Sequence, residues 1–349
     1  MENQIELIEQ IAPDMMDVVQ ERYHILRNIH WMSPVGRRTL ALKMGMTERV
    51  LRTETDLLKN LQLIETSKSG MTLTATGKKV MTGLESLMGQ YSGMKQKERR
   101  LAELFNIEKC IIAGGESDDE GKVLASFGQI VTESLSQLLP DKENVIAVMG
   151  GTTMATVAEN MSILDHNIRN NIFVPARGGI GETIDIQANS VSALMAAKTG
   201  GTSRPLYVPE RVSHETYQSL LQEPFVKQVL NLISETTCVI HGIGRALHMA
   251  ARRGMTEQEM VMLKNNGAVA ESFGYFFDDN GEVVYKIPRI GLQLKDLQKV
   301  PYILAVAGGK SKANAIQAYM KHAPQQTWLI TDEGAANMIL ELASAKEPH

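Results

Sequence analysis

The chain of 349 residues is 43% hydrophobic and 22% charged, with a formal net charge of −4. That length exceeds one ordinary domain, so two domains and a sizeable core are expected. No apolar run reaches the roughly 18 residues that span a bilayer, which argues against a helical membrane protein.

The amino terminus, MENQIELIEQIAPDMM, carries acids early and no basic stretch, so it does not read as a signal peptide. The cysteines are Cys110 and Cys238 alone, expected as buried thiols in a reducing cytoplasm rather than as a disulfide. No Cys/His cluster has structural-zinc spacing, and no metal is expected. The net charge hides an asymmetry: residues 22–79 hold 11 Lys/Arg against 4 Asp/Glu, whereas the chain beyond residue 100 is acidic. A basic module on an acidic body suits attraction to a phosphate backbone, although a solvated basic face would give the same count.

In chain order, residues 5–30 read as helix, with Ile5, Ile8, Ile11, Met15, Val18, Val19, Ile25, Leu26 and Ile29 near helical spacing and Pro13 marking a break or fresh start. Gly36-Arg37-Arg38 opens a second helix with Leu40, Leu42 and Met44 apolar. Gly45 suits a turn needing positive φ. Thr47 is a good N-cap for a third helix from Glu48, in which Val50, Leu51, Leu57 and Leu58 are expected inside and Arg49, Arg52, Thr53 and Thr55 near the outer face. Residues 63–73 read as strand, turn and strand, with the turn at Ser69-Gly70 and Lys68 at the tip. Helix, turn, helix and hairpin together make a winged helix. Its expected DNA contacts are Arg37, Arg38, Thr47, Arg49, Arg52, Thr53 and Lys68. Another helix opens at Thr74, and the basic stretch Lys95–Arg100 reads as a linker with a solvated face.

Beyond residue 105, apolar runs alternate with helical patterns. Strands are expected at 110–113, 145–149, 172–175, 206–208, 238–241, 303–307 and 328–331. Helices are expected at 121–138, 153–162, 185–198, 211–232, 245–252 and 311–321. This alternation predicts a mostly parallel sheet with helices on both faces and ligands at the carboxyl ends of the strands.

Glycine-rich loops follow those strands. In AVMGGTT, glycines let backbone amides approach an anion and Thr152 and Thr153 add hydroxyls; a plain tight turn with a threonine cap fits equally. In FVPARGG, Arg177 at a strand end can grip phosphate through two N–H groups, or form a surface ion pair. GGKSK resembles a nucleotide-binding loop, but Leu304 stands where that motif needs glycine, so nucleotide hydrolysis is disfavoured. In GIGRAL, Leu247 replaces the last glycine of a dinucleotide fingerprint. Glu271, Asp332 and Glu333 can accept sugar hydroxyls or remain ordinary exposed acids. His241, beside an apolar strand, reads as a core histidine. No catalytic constellation stands out, and no enzyme is expected.

Taken together, these segments resemble the SorC family of bacterial transcription regulators. The resemblance is carried by PVGRRTLALKMGMTERVLRTE, AVMGGTTMATVAE, IFVPARGGIGE, ANSVSALMAAK, VIHGIGRALHMAARR, VAESFGYFFDDNGEVVYK, AVAGGKSKANAI and ITDEGAA, nearly end to end. It implies an α/β protein: an amino-terminal winged helix-turn-helix over 1–90, a linker helix over 91–105 and a larger Rossmann-like effector domain over 106–349. The larger domain would be similar to glucosamine-6-phosphate isomerases and deaminases, without their activity. It further implies a cytoplasmic repressor of a glycolytic operon for triose-phosphate metabolism, with no cofactor and with fructose 1,6-bisphosphate as effector. The implied partners are operator double-stranded DNA and further copies of the chain, as homodimer or homotetramer. Carried over by motif, the effector contacts fall on Gly151, Thr152, Thr153, Arg177, Gln187, Arg252, Glu271 and Lys312, with Lys310 a second lysine beside the last. The alternative is a sugar-phosphate isomerase or deaminase with an accessory amino-terminal domain; a third reading is a scaffold whose basic helices bind another protein.

Overall fold

The computed structural model describes residues 13–91, 93–164, 170–179, 183–209 and 214–345. The portion of the expected first helix before Pro13 lies outside them. The chain divides into two compact units, Met1–Lys97 and Glu98–His349.

The first unit is built from α1 (Pro13–Met32), α2 (Arg37–Met44), α3 (Glu48–Asn60), β1 (Ile64–Ser67), β2 (Gly70–Leu73) and α4 (Ala75–Tyr91). Gly45, at φ 63°, ends α2, and Thr47 caps α3 by accepting the Val50 N–H at 3.3 Å. The buried face of α3 is Leu51, Thr55 and Leu58, spaced one and two helical turns apart. Two expectations are corrected here. Thr55 is 2% exposed, its hydroxyl donating to the Leu51 carbonyl at 2.8 Å, while Val50 is 47% exposed. Val50 lies about 100° around the helix from Leu51, so the same rotation that buries Leu51 turns Val50 outward. Leu42 on α2 is likewise exposed, because Leu40 and Ala41 take the buried face.

The hairpin register pairs Ser67 with Gly70, so the turn is Lys68-Ser69, one residue earlier than expected. Gly70 is instead a point of close approach. Val35 exchanges two backbone hydrogen bonds with Met71, at 3.1 and 2.8 Å, and a Cβ on Gly70 would lie 2.8 Å from the Val35 backbone. Ile25, Leu26 and Ile29 of α1 meet Leu40, Leu51, Leu58, Ile64, Met71 and Leu73 in one core.

In the second unit, α5 (Met94–Phe105), which carries the division between the units, leads to β3 (Lys109–Ala113) and α6 (Gly121–Leu138). β4 (Glu143–Val148), α7 (Thr152–Glu159), β5 (Asn170–Pro175), α8 (Ala188–Thr199) and β6 (Thr202–Ser203) follow. Then come α9 (His214–Leu220), α10 (Pro224–Ser234) and β7 (Cys238–Gly242). The seven-stranded sheet is completed by β12 (Tyr302–Val306) and β13 (Thr327–Asp332), and its order is β3-β13-β12-β7-β4-β5-β6, every pair parallel. Strands β4, β5, β12 and β13 are buried almost throughout, which requires cover on both faces. Cys110 and Cys238 are buried free thiols, and burial pushes both up.

Six expected strands are present. The seventh, 206–208, is not a strand: Asn189 on α8 holds both the N–H and the carbonyl of Leu206, and the edge position goes to β6. The helix expected over 211–232 is two helices, with Pro224 in the first turn of the second. A four-stranded antiparallel sheet was not anticipated. It consists of β8 (Gly244–Arg245), β9 (Ala268–Ser272), β10 (Tyr275–Asp278) and β11 (Val283–Lys286). With it come α11 (Ala246–Arg252) and α12 (Glu257–Asn265). The last helices are α13 (Ala313–Met320) and α14 (Glu333–Ser344).

In the first unit, Gly77 opens α4 so close to α3's exit that a Cβ would fall 1.9 Å from the Leu63 carbonyl oxygen. The Gly77→Ala chain should therefore unfold with about 2 kcal/mol less stability in the amino-terminal transition, measured by denaturant titration.

Candidate functional site

From β4 the chain runs outward through β5 and β6, then returns as β7 to the other side of β4. The strand order reverses between β4 and β7, and a crevice opens there beyond the carboxyl ends of the strands. A cavity of about 160 Å³ occupies this place. The loop after β4 contributes Gly150 to Thr153, the loop after β7 contributes Gly242 to Gly244, and Arg177 comes from the end of β5. Ser311 and Lys312 come from the loop after β12, Asp118 from the loop after β3, and the antiparallel sheet with α11 closes the far side.

The walls are rich in basic groups: the cations Arg177, Arg245, Arg252, Arg253 and Lys312 line the cavity together with the His248 imidazole. Lys312 donates to the Thr153 hydroxyl at 3.2 Å. Burial holds its ammonium below the usual lysine range; Asp118 and Asp332 oppose this, while Arg245 and Arg252 add repulsion. His248 is also held low, by burial first and then by Arg245, Arg252 and Lys312. Arg177 is 2% exposed, and its loop is pinned from both sides, with Leu292 N–H on Ala176 O at 2.8 Å and Gly179 N–H on Val208 O at 2.8 Å. Glu271 lies on the wall with one oxygen already engaged. Its Oε1 accepts from Arg253 at 2.8 Å and from the Gly274 N–H at 2.7 Å, and both members of the ion pair are buried.

Of the expected effector contacts, Gly151, Thr152, Thr153, Arg177, Arg252, Glu271 and Lys312 come together here. Gln187 does not line this cavity. It precedes α8, with its Oε1 turned to Gly179, where a Cβ would lie 3.4 Å away. Asp332 and Glu333, read as acids free to meet sugar hydroxyls, are committed to backbone. Asp332 accepts the N–H groups of Ser117, Gly309 and Ala335, each at 2.8 Å, and Glu333 accepts that of Gly115 at 2.8 Å. The Lys310 and Ser311 amides likewise meet Glu116 and Asp118, each at 2.8 Å. The Gly309, Lys310, Ser311 and Lys312 amides are thus satisfied internally, and the charge that this loop offers the cavity is the Lys312 ammonium. Asp118, Arg245, His248 and Arg253 escaped the sequence reading. GIGRALH reads as a failed dinucleotide fingerprint rather than as a source of Arg245 and His248, and ESDDE carries no motif.

The expected DNA contacts lie on the first unit's surface. Arg38, Thr47, Arg49, Arg52, Thr53 and Lys68 are exposed, and Arg37 is half-buried. Arg37 meets Asp56 at 3.3 Å and Arg38 approaches Glu48 at 3.8 Å, while the Thr47 hydroxyl accepts the cap bond of α3 and keeps its own proton to donate.

Known proteins match this two-part plan. The "CggR N-terminal DNA binding domain" family model matches residues 18–88 and the "Putative sugar-binding domain" model residues 90–341. The chain belongs to the SorC family of transcription regulators. Its SorC-family relatives include the central glycolytic genes regulators of Priestia megaterium and Bacillus subtilis. The first is 43% identical over 97% of this chain and 99% of the relative, the second 43% over 96% and 98%. The crystal structure of a putative SorC family transcriptional regulator from Enterococcus faecalis is 65% identical, with TM-score 0.68, and covers 70% of this chain and 99% of that one. The full-length sorbitol operon regulator SorC from Klebsiella pneumoniae shares the fold at 16% identity, with TM-score 0.63 over 97% of this chain and 99% of its own.

In this SorC-family chain, His241 is a core residue, as its sequence context implied. It is fully buried, with Ser272 Oγ 3.2 Å from Nδ1 and the Tyr319 hydroxyl 3.2 Å from Nε2. Burial lowers its pKa from 6.5 to about 4. The unfolded chain therefore binds this proton more tightly. The stability contributed by neutral His241 is fully present above pH 6.5 and is lost as pH falls from there towards 4. The loss should approach about 3 kcal/mol for a shift of this size, and a urea series between pH 7 and 4 should show it reduced in His241→Gln. Asp332→Ala, which strips three amides of their acceptor, should cost about 3 kcal/mol or more in the same assay.

Proposed function

We propose that this protein is a DNA-binding repressor of a glycolytic, triose-phosphate operon and that fructose 1,6-bisphosphate relieves the repression. The observation that carries the reading is the set of cations converging on a strand-end cavity from three separate segments of the chain, with a buried lysine among them. Crowding Lys312, Arg245 and Arg252 is unfavourable in an empty cavity and becomes favourable when an anion of more than one charge enters. The Thr152 and Thr153 hydroxyls beside Lys312 suit a phosphoryl group, and Glu271 and Asp118 stand where they can accept hydroxyls of a sugar. The names of the 43% identical relatives supply the glycolytic assignment.

The amino-terminal unit is read as a winged helix-turn-helix, with α3 as the recognition helix and the Lys68-Ser69 turn as the tip of the wing. The larger unit is read as similar to glucosamine-6-phosphate isomerases and deaminases, and as the seat of a homodimer or homotetramer that presents paired DNA-binding units to a repeated operator. An enzyme on the same scaffold would need an acid or base at the ligand. Ser272 is on the wall and touches His241, but it also donates to the Gly242 carbonyl at 3.0 Å, and both histidine nitrogens are engaged in the core.

Operator binding titrated with fructose 1,6-bisphosphate is the direct test. Coupling of roughly 1–3 kcal/mol would weaken DNA affinity about 5- to 150-fold. Unchanged DNA affinity and melting temperature at millimolar ligand would overturn the reading. Arg177→Ala and Lys312→Ala should retain DNA binding and lose the ligand response, whereas Arg49→Ala and Arg52→Ala should do the reverse. Asp118→Asn removes a carboxylate that sustains the Lys312 charge and can accept a sugar hydroxyl, and should weaken fructose 1,6-bisphosphate binding several-fold by calorimetry.

A further inference from the structure

Which side chains α3 sends outward decides what it can recognise. Its buried arc is Leu51, Thr55 and Leu58. The exposed residues at its start are Arg49, Val50, Arg52 and Thr53, held in register by the Thr47 cap on the Val50 amide. Among two guanidiniums and a hydroxyl, Val50 is the apolar member. It is 47% exposed and stands outside the core cluster that takes Leu51 and Leu58. A recognition helix enters the major groove with this end first. Arginine and threonine there address phosphates and the donors and acceptors of base edges. A branched hydrocarbon can address only the apolar feature of a base edge, the C5-methyl group of a pyrimidine.

We propose that Val50 is a specificity-determining residue that reads a thymine methyl group in the operator, fixing one T·A pair in each half-site. The proposal rests on the winged-helix reading above. In unmodified DNA the methyl group belongs to thymine; 5-methylcytosine presents the same group, and the experiment separates the two.

The full chain is used to select duplexes from a random pool. The tightest is resynthesised with deoxyuridine replacing thymidine one position at a time, which deletes the methyl group and keeps every hydrogen bond. At one position per half-site the deletion should weaken binding about fivefold, the worth of burying one methyl-sized group. Val50→Ala should bind the thymine and uracil duplexes alike at that position, with its salt dependence unchanged because no phosphate contact is lost. Leu42→Ala, which trims an exposed apolar residue of α2, should keep the thymine preference. With a G·C pair placed there, 5-methylcytosine should bind more tightly than cytosine, and replacing the thymine by either should still cost affinity. Methyl-independent binding at every position, or a Val50→Ala chain that keeps the thymine preference, overturns the proposal. If no duplex is enriched at all, the winged-helix reading falls and this assignment with it.

Discussion

One buried carboxylate holds the ligand end of the large unit together. Asp332 ends β13, is fully buried, and accepts the backbone N–H groups of Ser117, Gly309 and Ala335. Those amides belong to the loops that leave β3 and β12 and to the first turn of α14 after β13, so a single side chain sets three strand exits against one another. A carboxylate out of water is costly unless its oxygens are met by donors, and charge-assisted bonds to amides are the strong kind. Its charge also favours the ammonium of Lys312, which burial would otherwise drive towards neutrality. Asp332 thus shapes the strand exits around the cavity and, after Asp118, supports the charge of its central lysine.

Around this clamp the molecule tolerates an arrangement that is unfavourable by itself. Arg177 is almost wholly buried, and Arg245 and Arg252 add to burial in disfavouring the charged forms of His248 and Lys312. The acids nearby offset this field only in part. Asp332 is committed to three amides and Glu271 to Arg253 and Gly274, leaving Asp118, itself tied to Ser311, as the acid that faces the lysine. An anion entering such a site would relieve this repulsion, which is the physical basis of the proposed ligand class.

The amino-terminal unit was legible because its signals are local. A glycine at positive φ, a threonine cap and a short hairpin each act within a few residues, and Gly45, Thr47 and the strands around Lys68 stand where the sequence reading put them, give or take one residue at the turn. The errors there concern rotation. Val50 and Thr55 exchanged faces because apolar character alone does not say which of two adjacent helix positions meets α1. In the larger unit the apolar runs marked six strands of the parallel sheet. The antiparallel sheet of β8–β11 went unread, since its strands are short, bulged and partly polar.

The sequence by itself determined the division of labour: a basic, capped helical module followed by repeated strand–glycine–helix units, with Thr152, Thr153, Arg177 and Lys312 at strand ends. Each of these is written in spacing and residue type over short stretches. Only the tertiary structure decided which of those loops meet, that Gln187 abuts Gly150 and Gly179 without lining the cavity, that Arg253 rather than solvent takes Glu271, and that Arg245 and His248 lie near Lys312. Those facts depend on strand order and helix rotation, which are set by long-range packing, and no local pattern encodes the neighbour that a side chain finds across a sheet.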